Sequence, residues 1–127
     1  MFSHVMLGTD DVAASKRFYD AALGALGVPE GVVDELGRVA YSHDGGRFVV
    51  RTPLNGEHAS GANGGTLGFQ ADSSAAVDAF HAAGLAAGGT AVEDPPGPRN
   101  ATGGRVLYLA YLRDPGGNKI CALHRIQ

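Results

Sequence analysis

Few side chains in this chain of 127 residues are equipped for chemistry. There are five histidines, at positions 4, 43, 58, 81 and 124, and one cysteine, Cys121. A single cysteine excludes an intrachain disulfide and the paired CxxC of a structural zinc site. Such a thiol packs as a small hydrophobe unless its surroundings lower its pKa and make it a nucleophile. His81 is predicted mid-helix, His43 beside a hairpin turn and His58 in a linker, so all three are read as surface residues. His124 lies three positions beyond Cys121, and odd separation along a strand puts the two on opposite faces. The same parity separates Tyr108 from Tyr111: one packs beneath a helix and the other faces the opposite side. Gly45-Gly46 and Gly116-Gly117 lie between strands and do not lead a strand into a helix, so they read as hairpin glycines and not as a phosphate cradle. Arg113 and Asp114 flank one of these turns and read as a solvated pair.

The elements that must position these groups are legible because the chain repeats. Shifted by 62 positions, His4–Gly27 lies over Thr66–Gly89 with eight of 24 positions identical. Alanines inflate that score, but Asp10/Asp72, Phe18/Phe80, Leu23/Leu85 and Gly27/Gly89 match in the same register. Each copy opens with an apolar run of strand length, Phe2–Leu7 or Thr66–Ala71. Asp10 and Asp72 follow as expected helix N-caps, then helices are predicted over Val12–Leu26 and Ala75–Ala87. Gly27 and Gly88-Gly89 stop them, since glycine takes the left-handed conformation freely. Strands are expected over Arg38–His43, Arg47–Thr52, Arg105–Arg113 and Lys119–Ile126, with short ones near Val32–Val33 and Thr90–Val92. Asn55–Gly65 reads as an exposed linker. Asp94–Gly104, rich in Pro and Gly and without periodicity, reads as irregular: a lid over a site or a plain surface loop.

Composition narrows the class. Apolar residues are 44% and charged residues 18%, too hydrophobic and too weakly charged for a disordered chain. The length supports one domain. A net charge of −3 is not the basic footprint of a nucleic-acid binder. No apolar run reaches membrane-spanning length, and Met1-Phe2-Ser3-His4 lacks the basic start of a signal peptide. The expectation is a cytoplasmic protein without nucleic-acid or membrane partners.

The duplicated unit opens with His4 and DDVAASKRFYDAALGALG and closes with YLRDPGGNKICALHR. It resembles the vicinal oxygen chelate superfamily, which holds glyoxalase I, bleomycin-resistance proteins and ring-cleaving dioxygenases. HDGGRFVVRTPLNGE and GGTLGFQADSSAAVDAFHAAGLAAGG are similar to its small bacterial members, many of unassigned function. The most specific piece is Asp114-Pro115-x-Gly117-Asn118-x-Ile120. The resemblance implies an α+β fold of two βαβββ modules, forming a curled eight-stranded mixed sheet around a cleft, in a homodimer. Module 1 would span about 1–54, the linker 55–65 and module 2 about 66–127.

Metal enzymes of that superfamily hold a divalent ion with His and Glu from four cleft strands. By the resemblance those positions fall on His4, on Val50 or Arg51, on Thr66 and on Cys121, and only His4 keeps its ligand type. Zinc, nickel, iron and manganese sites need at least three protein ligands, so a divalent metal is disfavoured and no cofactor is expected. The resemblance then implies a cleft that binds a small organic molecule, lined by His4, Val50, Arg51, Thr66, Tyr111 and Cys121. A Cys121–His4 catalytic pair is the nucleophilic variant of that site. The alternative is a metal-dependent lyase or dioxygenase-type enzyme with altered ligands.

Overall fold

Asp44 and Gly45 both take left-handed φ, 49° and 79°, which closes a two-residue turn between antiparallel strands paired at His43 and Gly46. Around that hairpin the computed structural model describes residues 1–127. The first half runs β1 (Val5–Gly8), α1 (Val12–Gly24), β2 (Val32–Val33), β3 (Val39–His43) and β4 (Gly46–Arg51). The second runs β5 (Leu67–Gln70), α2 (Ser74–Ala86), β6 (Thr90–Ala91), β7 (Gly97–Asn100), β8 (Val106–Arg113) and β9 (Lys119–Arg125). The fold is α+β, with two helices and mixed sheets.

The strand order repeats. The first sheet is β1-β4-β3-β2 and the second is β5-β9-β8-β6, with β7 also paired to β8. In each, the first strand runs parallel to the last, and the helix makes the crossover that parallel neighbours require. The two sheets are separate, so the nine strands do not form the single eight-stranded sheet that the resemblance implies. At the end of β1 the Gly8 carbonyl is taken by a side chain, accepting from Asn118 Nδ2 at 2.9 Å.

Two local readings need correction. The N-caps are one residue later than expected, at Asp11 and Ser73, whose side chains accept from Ala14 N and Ala76 N at 3.0 Å. Asp10 instead accepts from Ala59 N at 2.7 Å and lies 3.0 Å from His58 Nδ1, pinning the 55–65 connection. The second correction is Asp94–Gly104, which is not irregular. It contains β7, paired antiparallel to β8, and a 3₁₀ turn at Thr102–Gly104. The Arg99 guanidinium holds it by donating to the carbonyls of Asp94, Pro95 and Gly97. Pro98 is tolerated there because β7 lies at an edge.

Both helices bury their apolar stripes on the same side of the sheets. Phe18, Tyr19, Ala22 and Leu23 of α1 and Val77, Phe80 and Gly84 of α2 are buried. They share one core with Val39, Tyr41, Phe48 and Val50, and with Ala110, Leu112, Ile120 and Ala122. The helices meet at Gly84, where a Cβ would stand 2.4 Å from Leu112 Cδ1 and 3.1 Å from Phe18 Cε1. Strand parity follows from this core. His4 and Met6 beside β1 and in it, Val49 and Arg51 on β4, Thr66 and Gly68 at β5, Tyr111 on β8 and Cys121 on β9 all turn away from the helices.

Candidate functional site

The helix-free face carries five of the six residues expected to line a cleft. Val50 is the exception. It is fully buried in the helix-side core, because it lies two positions from Phe48 on the same face of β4. The repeat register also identifies the true counterpart of Cys121. Cys121 pairs across from Gly68, Gly68 matches Met6 by the 62-residue shift, and Met6 pairs with Val49. Val49, only 2% exposed, therefore occupies the place assigned to Val50 or Arg51.

In the second half the candidates gather. Tyr111 stands directly opposite Cys121 in the β8–β9 ladder, and Thr66 precedes β5 on the same face as Gly68. Gly68 leaves room for the thiol: a Cβ there would stand 3.2 Å from Cys121 Sγ. Lys119 Nζ lies 4.8 Å from the Tyr111 ring centroid and pairs with Glu93, so a cation sits on the ring face. Burial pushes the Cys121 thiol up to about 11, with Lys119 opposing and Glu93 adding to the shift. Burial likewise raises the Tyr111 phenol, helped by Cys121 and Glu93. At neutral pH both are protonated.

The first half contributes His4 and Arg51, which are not brought together. Arg51 pairs with Gly8, four residues along from His4, roughly 13 Å at strand rise. His4 is exposed, its Nδ1 2.8 Å from Ser3 Oγ, and Arg51 Nε donates to the Thr52 carbonyl at 2.9 Å. Nowhere do three His, Cys, Asp or Glu side chains come together in a way that could hold a metal ion. His43 lies at the hairpin end, 3.3 Å from Asp44, while His124 Nδ1 lies 3.0 Å from the Ala71 carbonyl. The donor set therefore does not fit the divalent ion that the superfamily's metal enzymes hold.

Two features escaped the sequence reading. Asp114 is not a solvated turn residue but 4% exposed. It accepts from Tyr19 Oη at 2.5 Å and from Asn118 N at 2.8 Å, and Asn118 in turn reaches Gly8. The signal was the Asp114…Asn118 spacing, whose ends carry an acceptor and an amide. This cluster clamps the second hairpin to α1 and β1. Tyr108 resolves the other parity question, donating to Asp78 of α2 at 2.8 Å while Tyr111 faces away. The second feature is a cavity of about 340 Å³ between the first hairpin, the end of α1 and β5. None of the six expected residues lines it. A second recess, about 360 Å³, runs along β5 and the end of β9.

The model of the Glyoxalase/Bleomycin resistance protein/Dioxygenase superfamily matches residues 1–122. Among solved structures, a glyoxalase/bleomycin resistance protein from Albidiferax ferrireducens T118 is 58% identical, with a TM-score of 0.94 over 98% of this chain and 99% of that one. A glyoxalase-related enzyme from Fulvimarina pelagi shares the fold at 19% identity and a TM-score of 0.72, covering 97% and 86% of the two chains. Lactoylglutathione lyase from Agrobacterium tumefaciens does so at 22% and 0.66, covering 97% and 92%. No curated protein matches. A repeated strand order, a match over nearly the whole length and a near-superimposable relative agree: the chain belongs to the glyoxalase/bleomycin resistance protein/dioxygenase superfamily.

Proposed function

We propose that this protein binds a small organic molecule against its helix-free face, in a cleft curled between two copies, without needing a metal. The observation that carries this reading is a strip of side chains with nothing over them. His4 and Met6 alternate onto that face, Met6 is 42% exposed, and Phe2, just before the bend at Ser3, is 80% exposed. An uncovered apolar strip beside polar groups is the usual mark of a binding surface. In the homodimer we propose, the strip of one copy faces Thr66, Tyr111 and Cys121 of the other. The reducing interior of the cell suits a protein whose single cysteine is a free thiol.

Binding is favoured over catalysis by the state of the candidate groups. A buried thiol with its pKa near 11 is a poor nucleophile at neutral pH, and no carboxylate joins His4 as a relay. The superfamily's metal-dependent lyase and dioxygenase chemistry needs at least three ligands, which this donor set lacks.

The test is a thermal-shift screen of small organic molecules on protein stripped with EDTA, run in parallel with added nickel and zinc. Stabilising compounds in the EDTA arm, lost in Tyr111→Ala, are the expected result. Stabilisation that appears only with a divalent ion sinks the reading.

A further inference from the structure

We propose that the cavity beside the first hairpin is a separate binding site for a small amine with an aromatic or branched apolar body. The equivalent place in the second half is closed by a side chain. There, Asn118 donates its amide to the Gly8 carbonyl on the free edge of β1, and Asp114 locks Asn118 in position. The ladder pairs Arg113 with Lys119 around that hairpin and Ser42 with Arg47 around the first. His43 and Gly46 therefore stand where Asp114 and Asn118 stand.

Gly46 has no side chain to offer. Its partner edge is nonetheless built the same way, since Gln70 matches Gly8 in the repeat. Ala71 N donates to Leu123 O as Thr9 N donates to Arg51 O. In a parallel ladder, alternate residues bond to alternate sides, so the Gln70 carbonyl points to the free edge as Gly8's does. The first half has the acceptor without the plug, and a cavity of about 340 Å³ remains there. That is near the lower end of small-molecule sites, roughly 300–1,000 Å³.

The lining specifies the chemistry. Leu26, Val28, Phe48 and Phe69 supply apolar walls, and the two phenyl rings meet edge to face at 5.4 Å. Tyr41 gives only its ring, because its hydroxyl is already spent on Asp20 at 2.8 Å. Asp44, Asp72, Arg47 and His43 also line the cavity, and Asp44 is taken up by His43 at 3.3 Å. Asp72 is free for a ligand because Ser73, not Asp72, caps α2. The unpartnered Asp72 carboxylate and the open Gln70 carbonyl favour a protonated amine, whose N–H groups can take the part Asn118 plays in the other half.

The experiment is a titration of the full-length protein with 2-phenylethylamine, followed by backbone amide NMR, with 3-phenylpropionate as the matched anion. Saturable millimolar shifts at Gly46, Phe69 and Gln70 for the amine are expected, with the anion at least about tenfold weaker. Gly46→Asn should abolish binding by supplying the missing plug. A Cβ at Gly46 meets only the His43 carbonyl at 3.4 Å, so the substitution fits. Asp72→Asn should weaken the amine about tenfold through loss of a charge-assisted bond, and it tests the site should Gly46→Asn fail to fold. No saturable shifts, equal binding of the anion, or unchanged affinity in either folded variant overturns the proposal.

Discussion

Tyr19 brings its hydroxyl into the core with no exposure, and the acceptor there is Asp114. A buried acceptor that loses its donor costs the desolvation it can no longer recover, so Tyr19→Phe should destabilise by about 1–3 kcal/mol in urea unfolding. The same bond makes stability depend on alkaline pH. Burial, with the Asp114 charge, raises the folded phenol well above its ordinary value near 10.0. The unfolded phenol gives up its proton first, so this contribution is whole below pH 10 and is lost as pH rises beyond it. Tyr19→Phe should flatten that part of the profile. Cys121 follows a parallel logic. A thiol moved from 9.0 to about 11 holds about a hundredfold less thiolate at pH 8. Labelling with a thiol reagent should therefore run at least that much slower in the native protein than in urea. Equal rates would show that the thiol is open to solvent.

The helix starts show how one residue changes the role of its neighbour. Ser73 caps α2 and Asp72 does not, so Ser73→Ala should cost about 1 kcal/mol while Asp72→Ala leaves thermal stability nearly unchanged. Both aspartates before the helices had the right chemistry for a cap. The choice of Asp11 over Asp10 rests on where the chain turns, and Asp10 is thereby released to hold Ala59. The Asp94–Gly104 segment makes the same point. Its sequence has no strand pattern, yet the β8 edge and the Arg99 fork organise it. Edge pairing supplies order that local propensity does not.

At the scale of the whole molecule, the helices and one face of each sheet share a single core, while the opposite face leaves Met6 in solvent. Light scattering at micromolar concentration should give twice the 13.0 kDa chain mass. Met6→Lys should shift that toward the monomer, since a charge in an apolar contact is poorly repaid. A monomer throughout that range would remove the two-copy cleft from the functional reading.

Local patterns in the chain determine a good deal. The 62-residue repeat, helix periodicity and hairpin glycines are short-range signals, and they led to both helices, the main strands and the family. Parity alone put Tyr108 and Tyr111 on opposite faces, because side-chain alternation is a property of one strand. Only the tertiary structure decided the rest. Val49 rather than Val50 matches Cys121, since register depends on which residue of β1 lies beside β4. Asp114 is buried because Tyr19, 95 residues away, comes to meet it. The cavity beside Gly46 lies where the other half carries the Asn118 side chain. That difference becomes a space only when two distant segments are brought edge to edge.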